Sequence, residues 1–124
     1  MTDQRTKVLV VDDHAQSRGL FCEVLTSAGY AVQVASDGLN AILHMEETRF
    51  DVVLTDVSMP QMDGLELLAE IRDRWPESRV VVHSSMVTGR VSRLALLEGA
   101  YACLSKSHDT AHLLETIASA SSAS

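Results

Sequence analysis

Acidic, hydroxyl and ammonium side chains follow four of the short apolar segments in this chain of 124 residues. In order along the chain they are Asp12, Asp13, Asp56, Ser84 and Lys106. An aspartate after a strand usually forms a turn or caps a helix, and a serine or lysine there is usually a cap or solvated. The recurrence of such residues after four separate segments favours a common site over these individual explanations.

The three carboxylates determine what chemistry such a site could perform. Two like charges 4 Å apart repel by about 1 kcal/mol in water and by about 4 kcal/mol at an effective dielectric constant of roughly 20. Clustered carboxylates therefore need a counter-charge, and oxygen ligands without His or Cys select a hard divalent cation, above all Mg²⁺. Such an ion leaves positions open for phosphate oxygens, and an ammonium and a hydroxyl group would complete the shell around a phosphoryl group.

Five short, valine-rich segments must position these side chains. They are too short for helices and are predicted to be β-strands, over residues 7–11, 30–34, 51–55, 79–83 and 101–105. Four of them are almost continuously apolar, which is typical of strands covered on both faces. The second alternates more between apolar and polar residues and is predicted to be an edge strand.

The segments between and after the strands have the helical period. Apolar stripes predict helices around residues 20–28, 67–75, 91–95 and 113–117, and less clearly one over Leu39 and Ile42. Glycines at 29 and 99 are expected to end two of them, and Asp63 and Glu66 have capping-box spacing. Five strand–helix units predict an α/β fold, with an open parallel sheet between two layers of helices. All strands then end at one edge, where ligands bind in such folds.

Composition excludes several classes of protein. Hydrophobic residues make up 46% of the chain and a net charge of −7 argues against binding to nucleic acid or to an acidic membrane surface. No apolar run approaches the roughly 20 residues of a spanning helix and no signal sequence is evident, so we expect a cytoplasmic protein without membrane insertion. Cys22 and Cys103 lack metal or redox spacing and are expected to be buried free thiols.

The segment from Asp56 to Gly64, DVSMPQMDG, resembles the receiver domain of bacterial two-component response regulators. The Asp12–Asp13 pair, Ser84 and Lys106 fit the same family, and the similarity to stand-alone chemotaxis regulators extends from residue 7 to about 118. It implies a (βα)5 flavodoxin-like, doubly wound fold with strand order 2-1-3-4-5. We expect a single receiver domain over residues 1–124, with a frayed tail at 119–124.

The resemblance also implies a role for each site residue. Asp56 would be the phosphoacceptor, because an ionised carboxylate can attack a phosphohistidine without a general base. Lys106 would pair with the phosphoryl group, and Ser84 would hydrogen-bond to it. Mg²⁺ would be held by four oxygen donors, namely the carboxylates of Asp12, Asp13 and Asp56 and the backbone carbonyl of Ser58.

The implied function is that of a signalling domain in a phosphorelay. A histidine kinase or histidine phosphotransfer protein would donate the phosphoryl group, and a downstream protein target would dock on the face formed by the fourth helix, fifth strand and fifth helix. No enzyme activity is expected beyond self-phosphotransfer and slow self-dephosphorylation. The alternative is a docking module that acts independently of phosphate, although the complete acceptor set argues against it. The chain is either a stand-alone regulator or a receiver excised from a longer protein.

Two positions depart from the family's pattern. Where the family usually has a proline after the lysine and a cis peptide bond, this chain has Ser107. A cis bond before a non-proline residue costs about 2.5–4 kcal/mol, so we expect a trans bond between Lys106 and Ser107. Where the family has an aromatic rotamer switch, this chain has Cys103, which is too small for that role. Tyr101, two residues earlier on the same strand face, is a candidate substitute.

Other catalytic or metal sites lack complete motifs. A haloacid-dehalogenase-type phosphatase needs a second aspartate two residues after the first, where this chain has His14 after Asp12. Ser84 is not part of the G-x-S-x-G turn of a hydrolase. His108 and His112 are four residues apart, as in some zinc sites, but no third ligand lies nearby in the sequence.

Overall fold

Five parallel strands form one sheet in the computed structural model of this chain, which describes residues 5–57, 62–84, 89–105 and 110–122. The strands are β1 (Lys7–Val11), β2 (Ala31–Ala35), β3 (Val52–Asp56), β4 (Arg79–Ser84) and β5 (Ala102–Ser105). They are arranged β2-β1-β3-β4-β5, and every neighbouring pair is parallel. This confirms the predicted fold class and strand order.

Helices cover both faces of the sheet. They are α1 (Ala15–Ser27), α2 (Gly38–Glu47), α3 (Gly64–Arg74), α4 (Gly89–Leu97) and α5 (Thr110–Ser122). Helices α2, α3 and α4 bury one core cluster against the sheet, and α1 and α5 bury a second on its other face. Within the described ranges, no helix has the length and hydropathy needed to cross a bilayer.

Alternation along each strand supplies apolar side chains to both layers. Leu9 and Val11 of β1 belong to the cluster with α2, α3 and α4, whereas Val8 and Val10 belong to the cluster with α1 and α5. All four side chains are fully buried, which explains the continuous apolar sequence of this strand. Strand β2 lies at an edge of the sheet and leaves Val34 exposed, which confirms the interpretation of its alternating pattern.

The helix ends follow the capping signals in the sequence. Gly29 and Gly99 have φ angles of +100° and +102° just beyond α1 and α4, in the left-handed region that glycine adopts readily. At the start of α3, the backbone N–H of Glu66 donates to Oδ1 of Asp63 over 2.9 Å. Asp37 caps α2 in the same way, with the N–H of Asn40 donating to its Oδ1 over 2.8 Å, which explains a helix that the apolar pattern indicated only weakly.

Two expectations need correction. Helix α5 continues to Ser122, and Ala120 is buried, so residues 119–122 are helical in the structure where the sequence predicts the first part of a frayed tail at 119–124. Packing of Ala120 against the sheet outweighs the low apolar content of this segment. Cys22 and Cys103 are free thiols as expected, but each is only half-buried.

The start of α3 lies directly beneath the end of β3. The N–H of Gly64 donates to the carbonyl of Val57 over 2.7 Å. A Cβ atom at position 64 would overlap the backbone oxygen of Asp56 and lie 2.7 Å from Cα of Val57. Only glycine therefore allows the helix to begin this close to the last residue of the strand.

This contact predicts that Gly64→Ala destabilises the protein by about 1–3 kcal/mol, because backbone atoms must move to admit the methyl group. The matched control is Gly19→Ala in α1, where a Cβ would meet nothing within 4 Å and the higher helix propensity of alanine should stabilise by up to about 1 kcal/mol. Urea unfolding of both variants measures the difference. Equal stability of the two variants would contradict the close approach.

Candidate functional site

The pairing of β1 with β3 brings two aspartates together at the carboxyl edge of the sheet. Val11 is in register with Thr55, so the residues that follow them, Asp12 and Asp56, lie beside each other at the carboxyl ends of β1 and β3. Neighbouring strands lie about 4.8 Å apart. Both carboxylates are buried, with Asp12 0% and Asp56 3% exposed.

Two further side chains complete a cluster at this edge. Carboxylate oxygens of Asp12, Asp13 and Asp56 and a ring nitrogen of His14 all lie within 4.8 Å of one another. The side chains of Asp13 and His14 are 27% and 68% exposed, so they form the mouth of a site whose floor is the two buried carboxylates. These residue types and distances could hold a metal ion.

Backbone hydrogen bonds fix the positions of the buried carboxylates. The N–H of Asp12 donates to the carbonyl of Ala35 in β2 over 3.2 Å. On the other side, the N–H of Val57 donates to the carbonyl of His83 in β4 over 3.0 Å. The ends of β1 and β3 are thus tied to their outer neighbours just where the carboxylates project.

An arginine of α1 and the histidine that precedes this helix approach the cluster. Nη1 of Arg18 donates to the backbone carbonyl of Asp12 over 2.9 Å. Nδ1 of His14 lies 3.1 Å from Oδ1 of Asp13 and 3.5 Å from Oδ1 of Asp12. These contacts place basic groups beside carboxylates whose mutual repulsion would otherwise favour their separation.

The remaining predicted site residues are positioned only in part. Ser84 is the last residue of β4 and is in register with Ser105, the last residue of β5, so both strands end at the same edge as β1 and β3. Lys106 follows Ser105 in the sequence, but Lys106, Ser58 and the peptide bond between Lys106 and Ser107 lie outside the described residues.

Tyr101 does not lie at this edge. It precedes the first residue of β5, and its hydroxyl group is 2.7 Å from Oγ of Ser119 on α5. The length of β5 therefore separates Tyr101 from the carboxylates, which lie at the carboxyl ends of the strands. Cys103 packs against the core cluster on the side of α2, α3 and α4. Tyr101 consequently cannot replace the missing aromatic residue at position 103 by turning into the site.

Sequence reasoning missed two residues around the carboxylates. His14 directly follows Asp13, but no complete motif in the sequence assigns it a role at the site. His83 is buried beside Asp56, its partner in the β3–β4 register, and its ring lies 4.8 Å from that of Phe21 on α1. In the sequence, the only indication of a special position for His83 is that a histidine lies within a predicted strand that is otherwise mostly apolar.

Comparison with known proteins gives a consistent family assignment. The response regulator receiver domain family matches residues 8–118. Sensor histidine kinase RcsC of Salmonella typhi is 36% identical over 111 residues, covering 90% of this chain and 12% of that protein. The chain thus spans only a small part of that relative.

Solved structures show the same likeness. Chemotaxis protein CheY4 of Vibrio cholerae superposes with a TM-score of 0.88 at 30% identity, covering 94% of this chain and 98% of that chain. A structure of a CheX–CheY–BeF3–Mg²⁺ complex from Borrelia burgdorferi gives a TM-score of 0.87 at 28% identity, covering 92% and 87%. With five strands in the same order and an acidic cluster at their carboxyl edge, this chain belongs to the family of response regulator receiver domains of two-component systems.

Proposed function

We propose that Asp56 is the phosphoacceptor of this receiver domain. The observation that carries the proposal is the placement of Asp56 at the end of the central strand β3, within 4.8 Å of Asp12, Asp13 and His14. Its carboxylate projects from a backbone held on both sides, by the close approach of Gly64 and by the pairing with β4. A nucleophile so fixed needs little reorganisation before reaction.

The proposed reaction is a phosphoryl transfer from a phosphohistidine. An oxygen of the Asp56 carboxylate attacks phosphorus while the P–N bond breaks, and the electron pair of that bond remains on the imidazole of the donor. Lys106 follows the last residue of β5 and Ser84 ends β4. We assign to Lys106 the pairing with phosphoryl oxygens and to Ser84 a hydrogen bond to the transferred group.

We further propose that Mg²⁺ is held by Asp12, Asp13, Asp56 and the backbone carbonyl of Ser58. The carboxylates supply the hard oxygen donors that this ion prefers, and they lie close enough together to share one cation. When bound, Mg²⁺ would neutralise charge on the phosphoryl oxygens. Among the described site residues, the two buried carboxylates would form its floor and Asp13 its solvent side.

The proposed partners are a histidine kinase or histidine phosphotransfer protein and a downstream protein target. For the target we propose the face formed by α4, β5 and α5, where apolar side chains are exposed: Leu94 is 42%, Leu97 83% and Tyr101 38% exposed. We place this exchange in the cytoplasm, where free thiols such as Cys22 persist. We assign to the chain one receiver domain, without catalysis beyond accepting and slowly losing its phosphoryl group.

The central test is covalent labelling of Asp56. Incubation with acetyl phosphate and Mg²⁺ should add about 80 Da, the mass of one phosphoryl group, and hydroxylamine should remove it. Asp56→Asn should show no gain, whereas the control Asp73→Asn, which removes an exposed carboxylate of α3, should be labelled normally. Labelling of Asp56→Asn would place the acceptor at another residue, and no labelling of the unchanged protein would favour the phosphate-independent docking module.

The metal assignment makes a separate prediction. Asp13→Asn removes a charged oxygen ligand and should lower the affinity for Mg²⁺ by more than about tenfold, in the range measured when metal sites lose supporting groups. Asp73→Asn makes the same change in net charge at a distant surface and should leave the affinity almost unchanged. Isothermal titration calorimetry compares the two variants. Equal losses would show that only the overall charge of the protein matters.

The proposed output face can be tested by hydrogen exchange. Beryllofluoride with Mg²⁺ mimics the phosphoryl group and should add contacts at the ends of β4 and β5, which order the adjacent backbone. Amide exchange in α4 and β5 should then slow several-fold, while α2 should be unaffected. Asp56→Asn is the control and should show no change anywhere. A response confined to α2 and β2 would place the output surface elsewhere.

A further inference from the structure

The fourth member of the metal-compatible cluster is a nitrogen donor. Nδ1 of His14 lies 3.1 Å from Oδ1 of Asp13 and 3.5 Å from Oδ1 of Asp12. The carboxylate of Asp56 belongs to the same cluster of potential ligands. The metal ligands proposed above are all oxygen atoms. The imidazole is therefore a potential ligand to which no function has been assigned.

The local backbone explains why the ring faces the carboxylates. His14 occupies the N-cap position of α1, with φ −92° and ψ 113°. A residue at this position usually uses its side chain to accept a hydrogen bond from the first turn, but among the described residues the His14 side chain makes no such bond. Instead the N–H of His14 donates to Oδ1 of Asp12 over 2.9 Å, which holds the residue against the cluster.

The distances are close to those between ligands of one cation. Six ligands about 2.1 Å from an ion lie about 3.0 Å from their neighbours and about 4.2 Å from the ligand opposite. The separations of 3.1 and 3.5 Å from Nδ1 match neighbouring positions. All four potential ligand atoms lie within 4.8 Å of one another. The side chains therefore need to move together only slightly to reach the spacing of ligands around one ion.

We propose that His14 is a nitrogen ligand of the divalent cation and shifts the selectivity of this site from Mg²⁺ toward transition metals such as Co²⁺ and Ni²⁺. Oxygen ligands alone suit Mg²⁺, whereas imidazole favours ions of the later transition series. The inference rests on the proposed metal site but not on phosphoryl transfer. With a side chain 68% exposed, His14 can adjust its ring to an ion seated on the buried carboxylates.

The test measures metal affinities without a phosphodonor, near pH 8, where imidazole side chains are ordinarily neutral and can bind metal. All proteins carry His112→Ala, because His108 and His112 are four residues apart and could bind the same ions. Relative to this background, His14→Ala should lower the affinities for Co²⁺ and Ni²⁺ by about tenfold or more, with the Mg²⁺ affinity changed much less. The visible absorption of bound Co²⁺ should also change as one nitrogen ligand is lost.

Two control variants make the outcome decisive. His44→Ala removes an imidazole that lies 3.1 Å from Oε1 of Gln33, away from the cluster, and should leave all affinities unchanged. His14→Gln keeps a polar side chain but replaces nitrogen by a hard oxygen donor, and should retain Mg²⁺ while losing the preference for Co²⁺ and Ni²⁺.

Other outcomes would overturn the inference. If His14→Ala leaves the ratio of Ni²⁺ to Mg²⁺ affinity unchanged, the imidazole is not a ligand that sets selectivity. If both affinities rise, the imidazole competes with the cation for the carboxylates. Asp13→Asn distinguishes this failure from that of the site itself. Weaker Mg²⁺ binding in Asp13→Asn, together with an unchanged ratio in His14→Ala, would preserve the carboxylate site and reject His14 alone.

Discussion

The register between β1 and β3 sets the spacing of the carboxylates on which the site depends. Two buried aspartates lie side by side because Val11 and Thr55, the residues before them, are paired across adjacent parallel strands. Such proximity is unfavourable for two ionised carboxylates, because like charges repel more strongly in a medium less polar than water. The rest of the sheet must therefore hold the two strand ends together, and its buried apolar faces supply the free energy that does so.

Strand β3, which carries Asp56, is held from three directions. Its neighbours β1 and β4 pair along its length, and the carbonyl of His83 accepts a hydrogen bond from the residue after Asp56. From below, α3 begins so close to the strand that only glycine fits at position 64. This arrangement restricts motion of the Asp56 backbone, so a response to the proposed phosphorylation would arise in the neighbouring strand ends and helices.

The transmission of such a response differs from the usual family pattern. Cys103 replaces the aromatic residue that acts as a rotamer switch in relatives, and it packs against the core beside α4. Tyr101 bridges to Ser119 on α5 and ties the start of β5 to the end of that helix. Coupling between the site and the proposed α4–β5–α5 output face would therefore depend on movement of these packed elements and not on rotation of a single aromatic ring.

Much of this protein was determined by local sequence. Valine-rich segments alternating with helical stripes were sufficient for the α/β class, and Asp63, Gly29 and Gly99 marked helix ends through their own backbone chemistry. The motif around Asp56 identified the family. Tertiary structure decided the features that depend on contacts between distant segments: the continuation of α5 to Ser122, the remoteness of Tyr101 from the site and the need for glycine at position 64. Tertiary structure also decided the proximity of His14 to the carboxylates. The start of α1 and the pairing of β1 with β3 together place its ring beside them.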